Sequence, residues 1–261
     1  MEFNEINSIL DHFDPVGLDE MDGVKLMDRI DKKYILSAGK IPLLLSRIDG
    51  GYRVLEMNNL RTFSYTTTYL DTEDFIFFRH HVTGRLERNK VRYRRYDNTG
   101  MTFLEVKRKT NTNRTIKWRI KTENEKSIGN AGTSGKFLSR LIPFSPDQLK
   151  PALLNKFRRI TLVNDALSER ITIDLNISFS NFTSNTVEFP YLGIVEIKKG
   201  GHSFRSETEK ALKELSIRPS GFSKYCIGSA IVNEIPRKNI LKQNLLQIKK
   251  IENEYYRSVR Q

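Results

Sequence analysis

Residues 90–120 read KVRYRRYDNTGMTFLEVKRKTNTNRTIKWRI, and their phasing decides the fold. Turn-forming clusters at Asp97-Asn98-Thr99-Gly100 and Thr110-Asn111-Thr112-Asn113 divide the stretch into three strands. Side chains on a strand alternate between its two faces. One face therefore receives Arg92 and Arg94, then Phe103, Glu105, Lys107 and Lys109, then Thr115, Lys117 and Arg119. The other receives Val91, Tyr93, Leu104, Val106, Ile116, Trp118 and Ile120. The first face is cationic and the second apolar.

Two readings fit this pattern. One is an amphipathic antiparallel sheet whose polar face meets water. The other is a groove or tunnel lined to hold a polyanion. A solvated face normally intersperses both signs of charge. Here Glu105 is the single acid among six Lys and Arg residues, which favours the lined groove.

The rest of the composition points the same way. The 261 residues carry a formal net charge of +13, so an anionic partner is expected: nucleic acid, a phosphorylated small molecule, polyphosphate or a lipid surface. The length allows a full core. The single cysteine, Cys226, excludes an internal disulfide; a reducing compartment and a packed, non-nucleophilic role follow. No apolar run reaches the roughly 18–20 residues of a membrane span. The start, MEFNEINSIL, lacks the basic, then apolar character of a signal peptide. A cytoplasmic protein is the expectation.

Along the chain, residues 2–12 carry helical spacing and end before Asp14-Pro15. Residues 24–36 read as a strand, and residues 40–48 as a helix with Ser37 as a possible cap. Strands follow at 51–57 and 62–71, where Tyr65, Thr67, Tyr69 and Asp71 share a face. Residues 73–81 form a short helix or turn; the adjacent His80 and His81 diverge on any regular element and make a poor metal pair. Residues 127–136 read as a mobile loop. Lys156 and Arg158 fall in a possible strand at 153–163. RITIDLNISF at 170–179 alternates without a break, with Arg170, Thr172, Asp174, Asn176 and Ser178 on one side. LGIVEIK at 192–198 puts Glu196 and Lys198 together. Ser206 and Glu209 have capping-box spacing. From about Asn239, the positions Leu241, Leu245, Ile248, Ile251 and Tyr255 mark an amphipathic helix with a basic back, a packing helix or a membrane or partner contact.

Many strands with few crossover helices argue antiparallel pairing. The expected class is α+β: a closed antiparallel β-barrel with polar faces inward and flanking helices over the apolar faces. The expected division is a helical leader at 1–24, a tunnel domain at 25–235 and a C-terminal helix at 236–261 packed on or beside the barrel.

Phosphate-loop, dinucleotide, HExxH, paired CxxC and GxSxG motifs are absent. What remains is a field of cations with two glutamates, each followed two residues on by a lysine: Glu105/Lys107 and Glu196/Lys198. Either pair alone is a plain ion pair. Together they are the minimum for phosphoryl transfer, with cations on phosphate oxygens and a carboxylate on Mg²⁺ or Mn²⁺.

At this point the sequence resembles the VTC-type polyphosphate polymerase domain, named for the vacuolar transporter chaperone complex, within the CYTH-like triphosphate tunnel metalloenzymes. The matching pieces are RIDKKY at 29–34, TTYLDT at 67–72, VRYRRY at 91–96, FLEVKRKT at 103–110, IKW at 116–118, RITID at 170–174, YLGIVEIK at 191–198 and FSKYCIG at 222–228. The resemblance implies transfer of the ATP γ-phosphate to a growing polyphosphate chain with Mn²⁺ or Mg²⁺. It implies that Lys33, Arg92, Arg94, Lys107, Lys117, Arg170 and Lys198 act on the phosphates, with Tyr69, Ser223 and Lys224 binding substrate. Glu196 would hold the metal, while Glu105 would either help with it or orient the lysines. The family often has a cation just before FSK, where this chain has Gly221. The ExExK signature of hydrolytic tunnel enzymes is absent near the N-terminus. ATP and inorganic polyphosphate are the implied partners. No inositol-phosphate sensing domain and no membrane segment are expected, so moving a product across a membrane would fall to a membrane-protein partner. A binding module without turnover and a tripolyphosphate hydrolase are the alternatives. Nucleic-acid binding rests on charge alone and lacks a recognition pattern.

Overall fold

The alternating stretch folds as a three-strand meander in the computed structural model of the protein, which describes residues 3–21, 29–112, 114–123, 132–166, 168–200 and 206–259. The elements in chain order begin with α1 (Phe3–Leu10), β1 (Asp14–Val16), α2 (Leu18–Met21), β2 (Arg29–Ser37), α3 (Ile41–Ser46) and β3 (Arg53–Leu55). Next come β4 (Phe63–Asp71), α4 (Ile76–Val82), β5 (Arg88–Tyr96), β6 (Met101–Lys109), β7 (Thr115–Thr122) and α5 (Thr133–Ser139). The rest are β8 (Lys150–Asn164), β9 (Glu169–Ser180), β10 (Thr186–Phe189), β11 (Leu192–Gly200), α6 (Glu207–Glu214), α7 (Lys224–Val232) and α8 (Lys242–Val259).

All eleven strands join one sheet, whose main path is β2-β11-β9-β8-β4-β5-β6-β7. Every ladder on that path is antiparallel. The expected closed barrel is not formed: β2 and β7 end the path, and no ladder joins them among the described residues. The outer edge of β2 is taken instead by the chain before α7. Tyr34 bridges to Pro219, and the Ser220 N–H donates to the Lys33 carbonyl at 2.7 Å. The sheet nevertheless curls, because Lys33 of β2 and Lys107 of β6 line the same cavity.

Ladder partners share a side of the sheet, so the registers define its concave face. One row runs Tyr69, Arg92, Glu105, Arg119. Another runs Lys33, Glu196, Thr172, Thr161. The opposite face carries the aliphatic residues. Ile171, Ile173, Val195 and Ile197 join a buried cluster with Ile6, Leu10, Leu44 and Leu212 from α1, α3 and α6. Val91, Tyr93, Leu104 and Val106 form a second cluster with Leu138 of α5. Burying side chains of this size contributes roughly 1.5–3 kcal/mol each.

The unbroken alternation expected for 170–179 fails at Asn176, which adopts φ +48°. The β8–β9 ladder slips there: Arg159 opposes Asp174, but Asn155 opposes Phe179. Arg159 and Asn155 share a side of β8. Phe179 therefore joins the face of Asp174, and Ser178 leaves it. This bulge gives α7 an apolar seat on the concave side. Tyr225 stacks on Tyr69 at 5.0 Å, and Gly228 lies against Phe179 and Leu153.

Smaller expectations change too. Ser37 makes no cap bond; a 3-10 turn at Ala38–Lys40 leads into α3, whose first turn carries proline. Of the expected loop at 127–136, residues 132–136 are described, and Thr133–Lys136 are helical in α5. The loop's first part, residues 24–28 of the second expected element, and His202 lie outside the described residues. Ser206 caps α6 as expected, accepting from the Glu209 N–H at 3.0 Å. The amphipathic C-terminal segment packs on β2 with Ile248, Ile251 and Tyr255 buried. No helix among the described residues is long and apolar enough to cross a membrane.

Candidate functional site

The concave face gathers the cations in three groups. The first surrounds a cavity of about 390 Å³, within the usual range of ligand pockets. Its wall includes Asp31, Lys33, His81, Lys90, Lys107 and Glu196, together with Ser220–Ser223. The Glu196 carboxylate receives Lys198 Nζ at 2.9 Å and Lys33 Nζ at 3.6 Å. Lys33 also donates to the Phe222 carbonyl at 3.3 Å, and Lys90 donates to Ser223 Oγ at 2.9 Å.

Electrostatics in this group follow from crowding. Withdrawal from water, then Lys33, Lys107 and Arg92, lower Lys90 to about 7, although the nearby Cys226 pulls the other way. Withdrawal from water and Lys33 lower Lys107 to about 8. Burial and the same cations hold His81 at about 3, so its imidazole is neutral. Burial would raise Glu196, but Lys198 and Lys33 outweigh it and hold the carboxylate well below its ordinary range.

The second group centres on Glu105, which is 1% exposed. Arg92 donates to Oε2 through Nε at 2.7 Å and lies within 2.6 Å through Nη2. Lys117 meets Oε1 at 2.5 Å. Tyr69 lies under the Arg92 guanidinium at 6.0 Å, and Arg94 stands over Tyr65 at 5.8 Å.

The third group is buried beside α7. Arg159 clamps Asp174 through two bonds of 2.6 and 2.8 Å, and Lys224 meets the same carboxylate. Arg170 and Lys198 oppose one another on the β9–β11 ladder.

All twelve residues singled out from the sequence thus lie on the concave face or on the segment that borders it. Lys33, Lys107, Glu196 and Ser223 share the cavity. Arg92, Lys117, Glu105 and Tyr69 form the neighbouring group, flanked by Arg94, while Lys224 belongs to the third. Sequence reasoning missed Asp31, His81, Lys90 and Arg159. Lys90 was legible, since it stands in phase with Arg92. Arg159 was not: spacing within 153–163 points to Lys156 and Arg158, whereas Asp174 selects Arg159 as its ladder partner.

A divalent cation bound together with phosphate needs only one or two protein oxygens. Glu196 supplies a carboxylate on the cavity wall, and Asp31 lines the same cavity. No group of three or more His, Cys, Asp or Glu converges among the described residues. This donor set fits a cation whose shell phosphate oxygens complete. Glu105 lies off that cavity's wall with its oxygens paired to Arg92 and Lys117, which favours orienting those cations over holding a metal.

The sequence model of the VTC domain matches residues 28–233. No curated protein sequence matches the chain. Among solved structures, the chain is similar to a candidate adenylate cyclase from Bacillus halodurans, with 15% identity and a TM-score of 0.49 over 75% of this chain and 94% of that one. A candidate adenylate cyclase from Vibrio parahaemolyticus shares 11% identity, with a TM-score of 0.45 over 77% and 97% of the two chains. A candidate adenylyl cyclase from Hippeastrum, described as having a dominant triphosphatase activity, shares 16% identity, with a TM-score of 0.44 over 80% and 98%.

Proposed function

The chain belongs to the VTC domain family, and on that premise we propose that it is a metal-dependent polyphosphate polymerase using ATP. The observation that carries this reading is the convergence of Lys33, Lys90 and Lys107 with Glu196 on one cavity. Cations there neutralise phosphate oxygens, while Glu196, with Asp31 on the same wall, offers carboxylate oxygen to a divalent ion.

In this reading the terminal phosphate oxygen of the polymer attacks the γ-phosphorus of ATP. The bond from that phosphorus to the bridging oxygen of ADP breaks, and ADP leaves. The polymer is its own nucleophile, so the protein supplies position and charge. Lys33, Lys90 and Lys107 hold the phosphates at the cavity. Arg92, Arg94 and Lys117 continue the positive surface, and Glu105 keeps Arg92 and Lys117 in place. Glu196 would hold Mn²⁺ or Mg²⁺, which supplies further charge neutralisation at the transferring phosphoryl group.

Gly221 favours a second reading, a binding module without turnover, because it leaves one family cation unfilled. The test is incubation with ATP and Mn²⁺, followed by polyphosphate staining on a gel and a phosphate-release assay. Polymer with ADP, lost in Glu196→Gln, supports the polymerase. Phosphate without polymer means hydrolysis. Neither product, with polyphosphate still raising the melting temperature, means a binding module.

A further inference from the structure

The chain from Pro219 to Ser223 forms no helix and only one isolated bridge, yet it supplies groups that hold two cavity lysines. The Phe222 carbonyl takes Lys33 Nζ, and Ser223 Oγ takes Lys90 Nζ. An irregular segment with a glycine at its centre keeps such positions only when something else fixes its backbone. On one side β2 does so, through the Tyr34–Pro219 bridge and the bond from the Ser220 N–H to the Lys33 carbonyl. On the other side stands α8. Asn244 Nδ2 donates to the Gly221 carbonyl at 2.8 Å, and Ser220 Oγ donates to Gln247 Oε1 at 3.1 Å.

We propose that Asn244 and Gln247 are positioning residues for the anion site, clamping residues 219–223 against β2 so that Phe222 and Ser223 hold Lys33 and Lys90 in place. The two side chains are spaced to reach consecutive residues of the segment, Gly221 and Ser220, from one turn of α8. The helix itself is anchored independently by Ile248, Ile251 and Tyr255, which are buried against the body of the protein. Removing the amides therefore frees the segment without undocking the helix. The identity of the anion rests on the function proposed above; the clamp does not.

The test compares the full chain with Asn244→Ala, the Asn244→Ala/Gln247→Ala double variant and the control Lys249→Ala, which breaks only an exposed pair with Glu252. Hydrogen exchange reads the clamp directly. Peptides covering 219–224 lose protection in the clamp variants, whereas those within α8 and β2 away from Lys33 keep it. Calorimetry with tripolyphosphate reads the consequence. Affinity falls about two- to fivefold in Asn244→Ala, as expected for the loss of one solvent-accessible hydrogen bond, and the control matches wild type. Unchanged exchange at 219–224 overturns the clamp. So does lost protection with tripolyphosphate affinity unchanged, or protection lost throughout α8. A wild-type protein that does not bind tripolyphosphate overturns the function proposed above, and exchange then decides the clamp by itself.

Discussion

Arg92 and Glu105 face each other across the β5–β6 ladder, and the Arg92 Nε donates to Glu105 Oε2 at 2.7 Å. The carboxylate is almost fully buried and also meets Lys117. Burial would raise its pKa, but Arg92, Arg94 and Lys117 outweigh that and hold it at about 2. Glu105 is thus ionised at every working pH and unites two strands flanking β6.

Glu105→Gln keeps the shape and removes the charge. Losing one partner of a buried pair costs about 3–5 kcal/mol in a fully enclosed site. Arg92 and Lys117 are partly exposed, so a loss of about 2 kcal/mol is expected, measured by urea unfolding. Because Glu105 is read as an organiser, the Mn²⁺ concentration for half-maximal activity stays unchanged. A large rise would return Glu105 to the metal.

If the cavity binds anions as proposed, binding should weaken as pH rises. Lys90 and Lys107 stand at about 7 and about 8 because they are withdrawn from water among other cations. A bound polyanion favours their protonated forms and raises both values, so binding takes up protons. The gain is complete below the free-site values and is lost as pH climbs through the raised ones. Tripolyphosphate affinity should fall about tenfold or more between pH 6.5 and 9. Calorimetry in buffers of different ionisation enthalpy reads the proton uptake near pH 8. Release of protons would contradict the assignment.

Gly221→Lys should bind tripolyphosphate more tightly. A Cβ at Gly221 meets nothing within 4 Å, and its backbone lies outside the left-handed region. The added ammonium stands beside the cavity wall, where a charge-assisted contact should improve affinity about three- to tenfold. The melting temperature should stay within about 2 °C, as is usual for surface changes. Unchanged affinity would mean that position 221 lies beyond reach of the anion.

Gly228→Ala tests the seat of α7. An added Cβ would lie 2.5 Å from Phe179 Cδ1 and 2.7 Å from Leu153 Cδ2. Both are packed core atoms, so overpacking should cost about 1–3 kcal/mol in urea unfolding. Because α7 carries Lys224 at its start and Ser223 as its cap, tripolyphosphate binding should weaken alongside.

The sheet was legible where one period governed a whole strand. Residues 90–120 alternate strictly, and Arg92, Glu105 and Lys117 could be grouped from spacing alone. Cavity membership was less legible, because it depends on strands far apart in the chain: Lys33 meets Lys90 and Lys107 only through the curl of the sheet. Arg159 was hidden because spacing cannot tell which of two adjacent arginines faces inward; Asp174 on the next strand decides. Closure was over-read. Inward polar faces demand curvature, but the edge of β2 is satisfied by Pro219 and Ser220, a pairing between distant residues that no local pattern announces.

The slip at Asn176 makes β9 two strands in one. Before it, even-numbered positions carry Arg170, Thr172 and Asp174 toward the cationic groove; after it, odd-numbered Ile177 and Phe179 occupy that side, and Phe179 meets Gly228 of α7. A single residue thus acts as a phase shifter, converting wet wall into dry wall without the chain leaving the sheet. Deleting Asn176 would restore an even beat with Asp174, Ile177 and Phe179 still on one side, so both halves of β9 would keep their faces. Inserting a second residue there is what would turn one half over, although the point itself is exposed.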